Sequence, residues 1–110
     1  MKNGTIDLYD IHKENGDWIS LSAEIKGDSL TILRDDFFDS GVGSFGSDEI
    51  ETYYYFDVPN TAKLAALMEK LMKTKNLLKA LDKFFNHEPK DKDFFRLCIE
   101  NGIEYSSSRY

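Results

Sequence analysis

Trp18-Ile19-Ser20-Leu21-Ser22-Ala23-Glu24-Ile25 decides the fold. An extended chain points successive side chains to opposite sides. Ile19, Leu21, Ala23 and Ile25 therefore share one face, and Trp18, Ser20, Ser22 and Glu24 share the other. Such strict alternation describes a strand with one face buried. The residues on either side are turn formers. Glu14-Asn15-Gly16-Asp17 precedes it, and Lys26-Gly27-Asp28-Ser29 follows it. Asn-Gly at the centre of the first is a tight-hairpin signal. Thr5–Ile11 alternates more loosely and predicts the preceding strand, and Leu30–Arg34 predicts the following one. Links this short imply an antiparallel meander.

A fourth strand is predicted over Ile50–Val58. It places Thr52, Tyr54, Phe56 and Val58 on one side and Glu51, Tyr53, Tyr55 and Asp57 on the other. Pro59 closes it, and Asn60 suits a helix N-cap. The period then changes. Leu64, Leu67, Met68 and Leu71 recur at helical spacing in segment 61–73, with Lys63, Lys70 and Lys73 off the stripe. A second helix is predicted over 76–86, burying Leu77, Leu78, Leu81, Phe84 and Phe85 and ending before Pro89. A third runs from Asp91 to Asn101 with Phe94, Leu97 and Cys98 inward, and Gly102 suits its left-handed cap. Ile103-Glu104-Tyr105 offers a short fifth strand. The expected fold is α+β, a single domain spanning 1–110, with an antiparallel sheet of four or five strands and about three helices packed on one face.

Composition narrows the class. The chain is 41% hydrophobic, enough for one packed core. No apolar run approaches the roughly 20 residues of a transmembrane helix. Met1–Thr5 carries no apolar leader, and Cys98 has no second cysteine to pair with, so a cytosolic protein is expected. The net charge of −6 is unevenly spread. Residues 1–62 hold thirteen acidic and four basic groups, whereas 63–92 hold four acidic and eight basic. From Asp35 to Ala62 there is neither Lys nor Arg. A half with this charge repels phosphate and nucleic acid and attracts cations.

Several segments look chemical. Gly41-Val42-Gly43-Ser44-Phe45-Gly46-Ser47 fits a glycine-rich phosphate loop, but a strand rather than a helix is expected next, and Asp48 and Glu49 oppose phosphate. The expected structure there is a loop displaying Phe45. Asp35, Asp36, Asp39, Asp48 and Glu49 supply hard oxygen ligands but lack the regular spacing of a calcium loop, so no metal or cofactor is assigned. His12 and His87 read as surface or turn residues, and Cys98 as a buried thiol. No nucleophile–base pair is visible, and no catalytic residue is assigned. The stretch from Asp35 to Tyr55 instead mixes carboxylates with aromatic anchors. Asp35, Asp36, Asp39, Phe45, Asp48, Glu49, Glu51, Tyr53 and Tyr55 are the expected partner-binding residues.

The chain resembles the small acidic immunity proteins of bacterial toxin–immunity systems, including those of contact-dependent growth inhibition. The resemblance rests on Gly27-Asp28-Ser29-Leu30, then Asp35-Asp36, then Phe45-Gly46-Ser47-Asp48-Glu49 leading into Tyr53-Tyr54-Tyr55, and on the closing Asn101-Gly102-Ile103-Glu104-Tyr105. Where such proteins often carry Tyr-Glu-Tyr entering the strand, this chain has Glu49-Ile50-Glu51-Thr52-Tyr53. The resemblance implies a cytosolic inhibitor that binds one cognate toxin domain, a basic nuclease in the leading reading, and performs no catalysis. The charge balance and the lack of a long apolar run lead to the expectation of no direct contact with nucleic acid or membrane. The alternative is a small adaptor or regulatory domain without catalytic activity that self-associates, as a homodimer, through its tyrosine-rich sheet.

Overall fold

The computed structural model describes residues 1–39 and 47–110. Strands β1 (Gly4–His12), β2 (Trp18–Lys26), β3 (Ser29–Asp39) and β4 (Ser47–Phe56) follow one another. Helices α1 (Val58–Met72), α2 (Leu77–Phe85) and α3 (Asp91–Glu100) come next, and β5 (Ser106–Arg109) closes the chain. The sheet order is β1-β2-β3-β4-β5, with every neighbouring pair antiparallel. The α+β fold expected from the alternation is the one observed.

The alternation in β2 holds: Leu21, Ala23 and Ile25 are buried and Ile19 packs against them. Gly27 and Asp28 both adopt positive φ, 58° and 63°, so the β2–β3 link is a two-residue hairpin of the kind that follows strand twist. The looser pattern of β1 has a physical cause. The register slips between Asp7 and Tyr9, so Leu8 is a bulge. One extra residue lets consecutive Leu8 and Tyr9 both enter the core.

The helices cover one face of this sheet. Leu64 and Met68 of α1, Leu81 and Phe85 of α2, and Phe94 and Cys98 of α3 are fully buried against Leu30, Ile32 and Phe56. The stripe on α1 is narrower than its spacing suggests. Leu67 is only partly buried, and Leu71, in the last turn, is exposed. Likewise Leu97 of α3 is half-buried, whereas Phe94 and Cys98 are sealed.

Boundaries differ from expectation in ways that chemistry explains. β4 ends at Phe56, and Pro59 sits inside the first turn of α1, where a missing N–H costs nothing. The N-cap is Asp57, not Asn60. Its carboxylate accepts from the Asn60 backbone N–H at 2.9 Å, which holds it below the usual carboxylate range. Asn60 serves instead as a buried clamp, donating to Asp57 and accepting from the Glu104 N–H at 2.8 Å. Thr61 does similar work: its hydroxyl accepts from the Leu30 N–H and donates to the Phe56 carbonyl. Gly102, at φ 67°, caps α3 as expected. The Ile103 N–H returns to the Cys98 carbonyl and the Gly102 N–H to Ile99, the two bonds of a Schellman motif. Ile103 therefore enters the core as that motif's apolar contact, and β5 forms three residues later than expected.

Candidate functional site

Among the described residues, strand alternation leaves the second face of the sheet without helices. Cross-strand register places Asp35 opposite Glu51 and Phe37 opposite Glu49 between β3 and β4. Trp18 and Ser20 of β2 stand beside Phe37 and Asp35. Tyr53 and Tyr55 continue the same face along β4, and Ser108 and Ser106 of β5 flank them. The residue after β5, Tyr110, exchanges both backbone hydrogen bonds with Glu51, at 3.0 and 2.8 Å. Among the described strand positions of this face, Lys26 alone is Lys or Arg, at the far turn. The lysines of the helices, Lys63, Lys70, Lys79 and Lys83 among them, are exposed on the other side of the molecule.

At the centre of the face, Asp35, Glu49 and Glu51 each bring a carboxylate oxygen within 4.8 Å of the others. Among the described residues no basic side chain forms an ion pair with any of the three. Asp35 Oδ1 is sealed from solvent without a hydrogen-bond partner. Desolvation first, then the hydrogen bond and charge of Glu49, push the Asp35 carboxyl up to about 6. Like charges directly opposite on paired strands destabilise a sheet. The cluster is therefore kept at a cost to stability, a frequent signature of function.

The sign of the pH effect follows. Asp35 binds its proton more tightly folded than unfolded, since its ordinary value is 3.8. Its ionised form therefore penalises the fold fully above pH 6, and the penalty fades as pH falls from about 6 to about 4. Asp35→Asn should raise stability at pH 7.5 by about 0.5–1 kcal/mol, the scale of a relieved cross-strand repulsion. The gain should shrink on acidification to pH 4.5. Thermal melts of both proteins across that range check it, and a variant less stable than wild type at pH 7.5 overturns it.

Aromatic rings bracket the carboxylates. On one side, His12 stacks on Trp18 with centroids 5.1 Å apart, and Trp18 meets Phe37 at 6.1 Å. The Trp18 indole N–H donates to Asp10, which fixes the ring. On the other side, Tyr53 and Tyr55 lie parallel at 6.0 Å, and Tyr110 stands edge-on to Tyr53 at 5.6 Å. Tyr53 donates its hydroxyl to Glu51 at 3.0 Å, the first cause of its raised pKa. A set of carboxylates alone suits a divalent cation as well as a basic side chain. Flanking rings with polar tips favour a protein partner, whose side chains bring both charge and apolar surface.

Not every expected binding residue lies here. Asp35, Glu49, Glu51, Tyr53 and Tyr55 come together. Asp36 does not: it faces the helices and forms a two-pronged ion pair with Arg34, whose Nε and Nη2 donate to it at 3.0 and 3.1 Å. Its charge is neutralised on the opposite side of the sheet from Tyr53. Asp39 and Asp48 pair with Ser47 and Phe38 at the open end of β3 and β4, and only their backbone is described. Phe45 and the glycine-rich loop lie outside the described residues.

Sequence reading left out Trp18, Phe37 and Tyr110 as site residues. The alternation already put Trp18 on the uncovered side, so its place was available from the pattern. Phe37 and Asp36 required knowing that β3 continues past Arg34. Nothing in the sequence placed Tyr110, because its position depends on the register of β5.

His12, at the Trp18 edge of this face, and His87, on the helical side, are exposed, as expected. Burial pushes the Cys98 thiol up to about 12, so it stays protonated and inert at neutral pH. No helix among the described residues is long and apolar enough to cross a membrane. No protein-family model, curated protein or solved structure matches the chain.

Proposed function

We propose that this protein is a cytosolic immunity protein that neutralises a cognate bacterial toxin domain, and that the open sheet face is its binding surface. The observation that carries the reading is the central trio Asp35, Glu49 and Glu51, unneutralised and bordered by Tyr53, Tyr55 and Tyr110. A nuclease gathers Lys and Arg around its phosphate-binding cleft. An acidic face is complementary to such a cleft and accelerates encounter, while aromatic anchors slow dissociation. Binding of this kind asks no chemistry of the inhibitor. The same trio opposes face-to-face self-association, which would bring six carboxylates together across a two-fold axis.

Co-purification with any toxin domain encoded beside this chain's gene is the first experiment. Binding kinetics then separate the roles. Glu49→Lys should slow association tenfold or more at low salt and flatten its salt dependence. Tyr55→Ala should speed dissociation about tenfold or more while leaving association unchanged. Lys63→Ala and Lys70→Ala, on the far side, should bind as wild type. Binding lost in the lysine variants and kept in Glu49→Lys would place the interface on the helices and sink the reading.

A further inference from the structure

We propose that the recess walled by Tyr53, Tyr55, Tyr110 and Glu51 is a seat for one guanidinium group, an arginine side chain of the partner. The recess has a volume of about 430 Å³ and opens on the uncovered sheet face. Its walls are three tyrosine rings, with one carboxylate at their border. Tyr53 and Tyr55 lie within 5° of parallel, and Tyr110 stands at 81° to Tyr53. Two nearly orthogonal ring systems offer a planar cation ring faces in two directions. A ring face attracts cations through its quadrupole, most strongly where water is partly excluded.

Two of the three ring tips, those of Tyr53 and Tyr55, are already fixed. Tyr53 spends its hydroxyl proton on Glu51 Oε2, leaving its oxygen free to accept and the carboxylate oriented. The Tyr55 hydroxyl accepts from Ser108 Oγ at 3.3 Å. Tyr110 is held by its backbone pairing with Glu51. Such preorganisation lowers the ordering cost of binding. Glu51 then accepts from the guanidinium while Asp35 and Glu49, within 4.8 Å of it, deepen the negative potential. A guanidinium fits better than an ammonium, because it is planar, stacks on rings and gives up hydration more readily. A divalent cation fits worse, since a single carboxylate borders the recess and such ions take six or more oxygens.

This seat rests on the toxin-binding reading only for the protein that carries the arginine. Its own test needs no partner. N-acetyl-arginine methylamide is titrated into the protein and followed by NMR of the tyrosine rings and backbone amides. Ring signals of Tyr53, Tyr55 and Tyr110 should shift together and saturate in the millimolar range. The lysine analogue should bind at least threefold more weakly. Tyr110→Ala, a change at an exposed strand end, should abolish saturation, and Glu51→Gln should weaken it at least threefold. Glu24→Gln, a charge change elsewhere on the face, should have no effect. Equal binding of the two analogues, or saturation surviving in Tyr110→Ala, would show attraction by charge alone and overturn the seat, leaving the wider acidic interface standing. Saturation as expected, with no toxin domain bound in the co-purification, would keep the seat and discard the toxin reading.

Discussion

Arg34→Met should destabilise the protein by about 2–3 kcal/mol, at or below the low end for breaking a buried ion pair by removing one partner, since the Arg34 side chain keeps 30% exposure. Arg34 lies on the helix-covered face of β3 and holds two carboxylates at once. Nε and Nη2 grip Asp36, and Nη1 donates to Asp91 Oδ2 at 3.0 Å. The Asp36 and Asp91 side chains are only 17% and 12% exposed, so neither is well solvated once the cation is gone. The other oxygen of Asp91 accepts from the buried Tyr9 hydroxyl at 2.7 Å. Burial, with that carboxylate beside it, drives the Tyr9 pKa far up, so the phenol remains a donor at any ordinary pH. The chain Tyr9–Asp91–Arg34–Asp36 thus ties β1, β3 and the start of α3. Removing its only cation leaves two negative charges with one neutral donor. Urea unfolding at pH 7 measures the loss. Replacing Asp36 and Asp91 by Asn in the same Arg34→Met background should recover part of it, because the stranded charges are then gone. A single variant within 1 kcal/mol of wild type would mean that water reaches the carboxylates and that the network is a surface feature.

This network shows where sequence reading stops. Alternation in β2, the helical stripe of α1 and the glycine after α3 each reflect a local rule, and each was legible. Arg34 and Asp36 obey the same period of two as Leu30 and Ile32. The expected strand ends at Arg34, and the pattern of two does not say which charged residues on it turn toward the helices. Charged residues enter a covered face only when partnered, and the partner, Asp91, lies 57 positions away. A pairing at that distance has no local signal. The bulge at Leu8 is similar: the consecutive burial of Leu8 and Tyr9 blurs alternation but does not say which strand carries the extra residue. The binding face was half legible. Parity within β4 separated Tyr53 and Tyr55 from Tyr54 and Phe56, whereas gathering Asp35 with Glu49 and Glu51 required the β3–β4 register. The trio became a cluster only in three dimensions.

Phe94→Ala should cost about 3–5 kcal/mol, the range for truncating a fully buried phenylalanine. Phe94 has no exposed surface, and four rings surround it. Phe56 of β4 lies at 6.4 Å, Phe84 and Phe85 of α2 at 6.0 and 5.4 Å, and its neighbour Phe95 at 5.1 Å. Backbone on three elements holds these rings, so the hole left by truncation closes only in part. The expected melting temperature falls by roughly 10–20 °C. Ile99→Ala, on the outer side of α3 with 69% exposure, should change stability by under about 0.5 kcal/mol. Phe94 also supports the inner face of the strand whose outer face carries Tyr53 and Tyr55. Because β4 side chains alternate, the two sets touch different surroundings: Tyr54 and Phe56 meet α3 and Tyr105, whereas Tyr53 and Tyr55 meet each other. Stability and binding should therefore separate. Phe94→Ala, assayed well below its melting temperature, should bind arginine analogue at the Tyr53–Tyr110 recess within twofold of wild type, whereas Tyr110→Ala should lose that binding and melt nearly normally. A Phe94→Ala protein that remains folded but fails to bind would show that the inner core sets the geometry of the outer rings, and the independence of the two faces would be refuted.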